Sequence, residues 1–537
     1  MLITSARLWA RVAPFNSRLF HNCSKMARDY NAAVTALNTL QSNFSIVDAI
    51  RKSGRGMNAQ AIPEMIEWFR KAGYEPSDFN ALKPIHIAGT KGKGSTSAFV
   101  SYILAEYQKS SPAARPSKIG LYTSPHLKSV RERIQINNEP LSEDQFATYF
   151  FEIWDRLEEA ARKEGQDPSA PGTKPLYFRF LTIMAYHVYL REGVDTAIIE
   201  CGVGGEYDST NIIEAPTVAA VTSLGIDHVA MLGGTLPEIA WHKAGVFKPK
   251  SFALSAPQPE EALSVLRERA AEKGLELQVV SAPHPDLDTI RLGLSGDFQK
   301  TNASLAVAAA AAHLRALGDD TVPHPARINE EPLPAPFRRG LERVRWPGRC
   351  EVRRETGIAW HLDGAHTLDS IEVAARWFAE EISAKETTTT TTTTPRILIF
   401  NQQTRDASAL ARALHAALRV GLGSSNNTPF THVVFSTNLT YRDTGYKPDL
   451  VSINTNADDV EKRAVQQGLA DTWRDMDPQA DVRVDRSIEE AVGFAREVAR
   501  LRGAVSSDDE VKVFITGSLH LVGGALEVLD SQGRRQN

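Results

Sequence analysis

The chain holds 537 residues, enough for two large domains, and its 42% hydrophobic content is ample for buried cores. Lys+Arg number 61 and Asp+Glu 65, a net charge of -4 that gives no support to a nucleic-acid binder. Cys23, Cys201 and Cys350 form no CxxC pair, which argues against a disulfide framework or zinc ribbon and fits a reducing compartment, and no apolar run approaches the ~18–20 residues that span a bilayer.

The chain opens with Arg7, Arg11, Arg18, Lys25 and Arg28 and no acid before Asp29, while Leu8, Val12, Phe15 and Leu19 recur at helical spacing. That pattern over 1–28 predicts a mitochondrial transit peptide. Met26 offers a second start and with it a cytosolic form. Residues 30–82 read as amphipathic helix. A short apolar strand over 84–88, a glycine-rich turn and a helical stretch over 97–104 form the opening unit of an α/β nucleotide-binding domain. Further strands are expected over 119–122, 196–200 and 218–222, with helices over 180–190 and, Ala-rich, over 302–317. This alternation predicts a mostly parallel sheet with helices on both faces.

Five prolines among the charges of 321–337 mark a linker, drawn over 321–343. A second α/β pattern follows, with strands over 358–362, 397–400, 432–435 and 511–515 and helices over 408–420 and 488–501. The unbroken threonine run 387–394 cannot bury a face and is expected to be a surface insertion. The predicted fold class is therefore α/β: a P-loop ATP-binding domain over 29–320 with a mostly parallel sheet, and a smaller Rossmann-like α/β domain over 344–537.

The strongest local signal is Gly89-Thr-Lys-Gly-Lys-Gly-Ser-Thr96. Its glycines let successive backbone N–H groups turn toward one anion, and the following helix adds the positive end of its dipole. Lys93 is predicted to reach the β/γ-phosphates, with the Ser95 and Thr96 hydroxyls near Mg²⁺ or phosphate. Gly94 separates Lys93 from Ser95, a departure from the usual pattern. Such loops serve motors, GTPases, kinases and ligases alike. No Asn-Lys-x-Asp guanine reader is present, and no basic and aromatic array for gripping a nucleic-acid strand.

Three strand ends carry the next candidates. Ser124 lies in Thr123-Ser-Pro-His-Leu127, Glu200 precedes Cys201-Gly-Val-Gly-Gly205, and His228 closes Gly225-Ile-Asp-His228. Ligands of open α/β sheets bind at that edge, and a strand-end carboxylate suits Mg²⁺. Histidine is less usual for Mg²⁺, which leaves a second or softer metal position open. Lys243, Lys300, Asn302 and the Trp346-Pro-Gly-Arg349 turn are weak signals in isolation. Leu362-Asp-Gly-Ala-His366 places Asp363 and His366 at a strand end of the second domain.

Read in order, these segments, with Leu37-Asn-Thr-Leu-Gln41, Val130-Arg-Glu-Arg-Ile134, Tyr177-Phe-Arg-Phe-Leu181, Asn211 and Lys243-Ala-Gly245, form one series. The series resembles the folylpolyglutamate synthases, within the wider Mur-type amide ligases, from about residue 28 to the end. The resemblance implies a two-domain ligase with ATP held between the domains. By it, Thr90, Lys91, Gly92, Lys93, Gly94 and Ser95 match the phosphate cradle, and Asn302, Arg349 and Asp363 match ATP contacts. Ser124, Glu200 and His228 match metal ligands, and Lys243 matches a lysine carbamylated in related ligases. His366 is implied as an orienting group or acid/base beside Lys93 and Lys243 in the catalytic set. Thr367 stands where bacterial members commonly have Asn, and the His-Thr form resembles the eukaryotic branch.

The implied reaction is ATP-driven, γ-linked addition of L-glutamate to tetrahydrofolate and its polyglutamates through an acyl phosphate. Mg²⁺ is the implied metal, with a monovalent cation as a further candidate. A monomer is expected, both mitochondrial (matrix or inner-membrane associated) and cytoplasmic. Dihydrofolate synthase, which uses the same chemistry on dihydropteroate, is the nearest rival. A non-catalytic nucleotide-binding protein on the same fold is the other, and the intact Lys93, Glu200 and His228 argue against it.

Overall fold

The computed structural model describes residues 28–41, 59–110, 116–280, 282–383, 394–403, 406–423, 428–443, 448–450, 463–503 and 510–533. The leader expected over 1–28, apart from Arg28, and the threonine run, apart from Thr394, lie outside them.

Eight strands build the first sheet: β1 (Ile85–Ala88), β2 (Ile119–Tyr122), β3 (Ile134–Ile136), β4 (Glu139–Pro140), β5 (Thr196–Glu200), β6 (Val218–Val221), β7 (Phe252–Ser255) and β8 (Leu277–Val279). Their order is β4-β3-β2-β5-β1-β6-β7-β8. From β2 to β8 the neighbours run parallel, and β3 and β4 add an antiparallel edge. Every residue of β1 and β5 is buried. Helices cover both faces, so these strands have no solvent side and read as mostly apolar runs.

The Lys93–Ser110 and Phe298–Ala316 helices share one core with the sheet. The second helix is Ala-rich because residues 302–314 are all buried, and small side chains let it lie close to its neighbours. Helices Tyr30–Asn38, Ala61–Lys71, Glu143–Lys163 and Tyr177–Arg191 contribute to the core on the other face. The expected helical stretch 30–82 is thus divided, and Pro76 opens a separate 3₁₀ turn over Pro76–Leu82.

The proline-rich segment differs from a free linker. Val322, Ile328, Leu333, Phe337 and Leu341 are buried in the first core, and Ala335–Arg343 is a helix. Arg339 Nε and Arg343 Nη1 donate to Glu106 at 3.3 and 2.9 Å. Pro334 and Pro336 sit at the start of that helix, where a missing N–H costs nothing, so the prolines shape packed turns.

The second sheet holds β9 (Glu351–Glu355), β10 (Ile358–Leu362), β11 (Arg396–Phe400), β12 (His432–Ser436), β13 (Asp481–Asp485) and β14 (Val511–Thr516). Its order is β13-β12-β11-β14-β10-β9, parallel except for β9 against β10. The four predicted strands are β10, β11, β12 and β14. The two edge strands β9 and β13 are rich in charged residues, which is how edges avoid further pairing and why they lack an apolar signature.

Candidate active site

The glycine loop leaves the carboxyl end of β1, between the ends of β5 and β6. Gly89 has φ +148° and a Cβ there would lie 1.8 Å from Thr222 Oγ1; Gly92 has φ +87° and a Cβ would lie 2.2 Å from Asn302 Oδ1. Both positions require glycine because the loop backbone passes against its neighbours in conformations that disfavour side chains. Thr90 and Lys91 N–H both donate to Ser223 O at 3.0 Å, and Thr90 Oγ1 donates to Gly225 O at 3.1 Å. These two residues, expected in the phosphate cradle, therefore use their backbone donors to brace the loop on the segment after β6. The helix ladder begins with Thr96 N–H to Gly92 O at 2.8 Å. The N–H groups from Gly92 to Ser95 precede it, at the open end of the helix, the kind of position that suits an anion. Asn302 supports them from behind: its Nδ2 donates to Gln299 Oε1 at 2.9 Å, and Gln299 Nε2 donates to Ser95 Oγ at 3.4 Å.

Two lysines converge on one carbonyl. Lys93 Nζ and Lys243 Nζ donate to Gly89 O at 3.0 and 2.8 Å. Lys243 is buried, and its burial, helped by the charge of Lys93, pulls its pKa down to about 7. Ser124 N–H donates to Glu200 Oε2 at 3.1 Å. Burial pushes the Glu200 carboxyl up, and the charges of Lys93, Arg349 and Arg133 oppose that push. A buried carboxylate thus faces cations from both domains. His228, the third expected metal ligand, has φ +53° and its N–H donates to Asp227 Oδ1 at 2.9 Å.

In the second domain, Asp363 follows β10 and both its oxygens accept backbone N–H groups, from Cys350 and Ala365, each at 2.9 Å. Those two bonds join the turn that carries Arg349 to the turn that carries His366. Burial raises the Asp363 carboxyl and Arg349 counters it. His366 Nδ1–H donates to Gly364 O at 3.0 Å, which places a proton on that ring nitrogen. Lys91 Nζ crosses the cleft to Thr367 Oγ1 at 2.9 Å and lies 3.4 Å from Asp227 Oδ2.

Sequence reasoning missed Arg133, Gln299 and Asp227. The one signal for Arg133 was its place in Val130-Arg-Glu-Arg-Ile134. Its side chain is largely buried, its Nε donates to His126 Nδ1 at 2.9 Å, and its guanidinium sits 5.5 Å from the Tyr177 ring centre. No other donor of this guanidinium has a hydrogen-bond partner among the described residues.

The chain is similar to known proteins over nearly its whole length. The chain is 45% identical over 509 residues to folylpolyglutamate synthase of Neurospora crassa, covering 94% of this chain and 92% of that one. The chain belongs to the folylpolyglutamate synthase family. The Saccharomyces cerevisiae relative of the same name is 44% identical over 528 residues, 96% and 90% of the two chains. A family model described as dihydrofolate synthetase, C-terminal domain, matches residues 349–528. Among solved structures, Mycobacterium tuberculosis folylpolyglutamate synthase complexed with ADP has a TM-score of 0.64 at 22% identity, over 93% of this chain and 99% of that one. The Thermotoga maritima enzyme has a TM-score of 0.61 at 21% identity, over 93% and 97%. At these identities the solved structures show the shared two-domain α/β fold.

Proposed function

We propose that this chain uses ATP to add L-glutamate, through γ-linkage, to tetrahydrofolate and its polyglutamates. The observation that carries the reading is the glycine loop at the end of β1, which holds Lys93 on Gly89 O and is bonded across the domain boundary by Lys91 to Thr367. Near full-length identity to relatives named folylpolyglutamate synthase supports it, as does the fold shared with a complex described as FPGS-AMPPCP-folate.

A carboxylate is a poor electrophile, so condensation with an amine needs activation. The γ-carboxylate of the folate's terminal glutamate attacks the γ-phosphorus of ATP, giving an acyl phosphate and ADP. The neutral amine of glutamate then attacks the acyl carbon, and phosphate leaves. Lys93 lies at the phosphate loop to offset charge on the phosphoryl oxygens, and the N–H groups of Gly92 to Ser95 hold the phosphates. Arg133, with its free donors beside Glu200, is placed to take a substrate carboxylate in the two-pronged manner of a guanidinium. The second domain covers the site through Arg349, His366 and Thr367, which excludes the water that would hydrolyse an acyl phosphate.

Ser124, Glu200 and His228 would hold Mg²⁺. Ser124 Oγ and Glu200 Oε1 have no hydrogen-bond partner among the described residues, which fits a cation there. Among those residues no three His, Cys, Asp or Glu side chains form a metal cluster. That fits Mg²⁺, which takes one or two carboxylates and fills the rest of its shell with water and phosphate oxygens. The ion supplies charge neutralisation and orientation at the phosphates. Lys243 is read as a carbamylation site, because the amine of a lysine brought to about 7 is neutral enough to attack CO₂, losing a proton as the carbamate forms. The proposal extends to a monomer made in mitochondrial and cytoplasmic forms, on the basic leader and Met26.

The match of 349–528 to a dihydrofolate synthetase domain keeps one second reading, ligation of glutamate to dihydropteroate. Mass spectrometry after incubation with ATP, glutamate and either tetrahydrofolate or dihydropteroate tests both. Stepwise glutamate mass increments on tetrahydrofolate are expected; products from dihydropteroate alone would overturn the primary reading.

A further inference from the structure

We propose that Asp449, in the second domain, is a positioning residue for Arg133 and acts through His126. This rests on the reading of Arg133 as the holder of a substrate carboxylate.

Asp449 is buried, in the short 3₁₀ turn Pro448–Leu450. Among the described residues, its side-chain oxygen and its backbone carbonyl both accept from the first domain. Its Oδ1 accepts from the Tyr30 hydroxyl and from Val130 N–H, the latter at 2.9 Å. Its backbone carbonyl accepts from His126 Nε2–H at 2.9 Å. A carbonyl can only accept, so this bond places the imidazole proton on Nε2. The other ring nitrogen, Nδ1, is then an acceptor, and it takes Arg133 Nε–H at 2.9 Å. The opposite tautomer would set two donors against each other at that point. An arginine N–H can donate only to an unprotonated ring nitrogen, so these two bonds together describe a neutral imidazole in a single tautomer.

The consequence falls on the guanidinium. One edge is tied at Nε and one face lies near the Tyr177 ring, so the plane of the fork is set and its other donors remain for a carboxylate. Asp449 comes from the other side of the domain boundary. Docking of the second domain therefore selects the tautomer that aligns Arg133, and its departure releases it. The Glu132 carboxylate completes the device: it accepts from Leu127, Lys128 and Ser129 N–H at 2.7, 3.0 and 2.9 Å, so the loop bearing His126 stays in place.

The test is steady-state kinetics of the full chain with Asp449→Ala, Arg133→Lys and the double variant, and with Tyr30→Phe, whose ring can keep its packing on Phe146. Asp449→Ala keeps the backbone carbonyl but removes the side-chain anchors on Tyr30 and Val130 that hold it against His126, so it should raise KM for folate or glutamate by about tenfold, with KM for ATP changed by less than about twofold. The double variant should be no worse than Arg133→Lys, because both act on one contact. Tyr30→Phe should show the same selective rise more weakly, and it decides the matter if Asp449→Ala does not fold. Additive effects in the double variant, or a loss spread equally over all three substrates, would overturn the relay. If Arg133→Lys raises a carboxylate KM and Asp449→Ala does not, the relay alone fails. If Arg133→Lys leaves both carboxylate KM values unchanged, the reading of Arg133 fails and takes the relay with it.

Discussion

Lys91 of the phosphate loop donates to Thr367 of the second domain at 2.9 Å, so the ATP cradle of one domain is bonded directly to a strand-end turn of the other. Gly225, which accepts from Thr90, also faces this boundary: a Cβ on it would lie 3.6 Å from Asp369 Oδ2. The loop that binds nucleotide is thereby coupled to the domain that closes over it.

Removing the acceptor should weaken that coupling. A hydrogen bond to a charged group is worth about 1.5–3 kcal/mol, so Thr367→Val is expected to lower kcat/KM for ATP by about tenfold or more. Thr367→Ser keeps the hydroxyl and should restore most of it. Equal activity in the valine and serine variants would show that the crossing bond carries no function.

Lys93 makes a single hydrogen bond, to Gly89 O, among the described residues. Lys93→Ala should therefore fold with a nearly unchanged Tm while ligation falls by about 10²–10³-fold or more, the scale of losing one preorganised charge partner. Near-normal turnover in that variant would remove Lys93 from the phosphate site.

Glu200→Ala should lose activity that added Mg²⁺ restores only in part, because the remaining oxygens bind the ion more weakly. The measurement is rate against Mg²⁺ concentration. A midpoint identical to that of the parent protein would take Glu200 out of the metal site.

Lys243 makes a prediction about stability. An unfolded lysine keeps its proton to about 10.4, whereas folding brings Lys243 to about 7. Between those values the unfolded chain binds more protons, so this group makes stability rise with pH across that window. Below about pH 7 both states are protonated and the full burial penalty applies. In CO₂-free buffer, Lys243→Met should be more stable than the parent at pH 7, with the gap narrowing toward pH 9. Parallel Tm curves for the two proteins would rule out a depressed pKa.

Much of the first domain's site was legible residue by residue. Gly89 and Gly92 announce positive φ, Glu200 ends an apolar run, and 85–88 followed by glycines and a helix is a local pattern. The reading of 321–343 as a linker went astray because prolines look alike in a free chain and in packed turns. Only the burial of Phe337 and Leu341 distinguishes them. Arg133 was quoted within a motif but given no task, because an arginine declares its role through its partners.

The chain's sequence by itself determined the strand, glycine loop and helix of the ATP cradle, the α/β alternation of both domains and the family. Periodicity and glycine placement are set by neighbours within a few residues, so a linear reading captures them. The tertiary structure decided what crosses the domain boundary: Lys91 to Thr367, Asp449 to His126, and Arg349 toward Glu200. These relationships join residues more than a hundred positions apart. Their existence depends on how two independently built sheets dock, which no local pattern records.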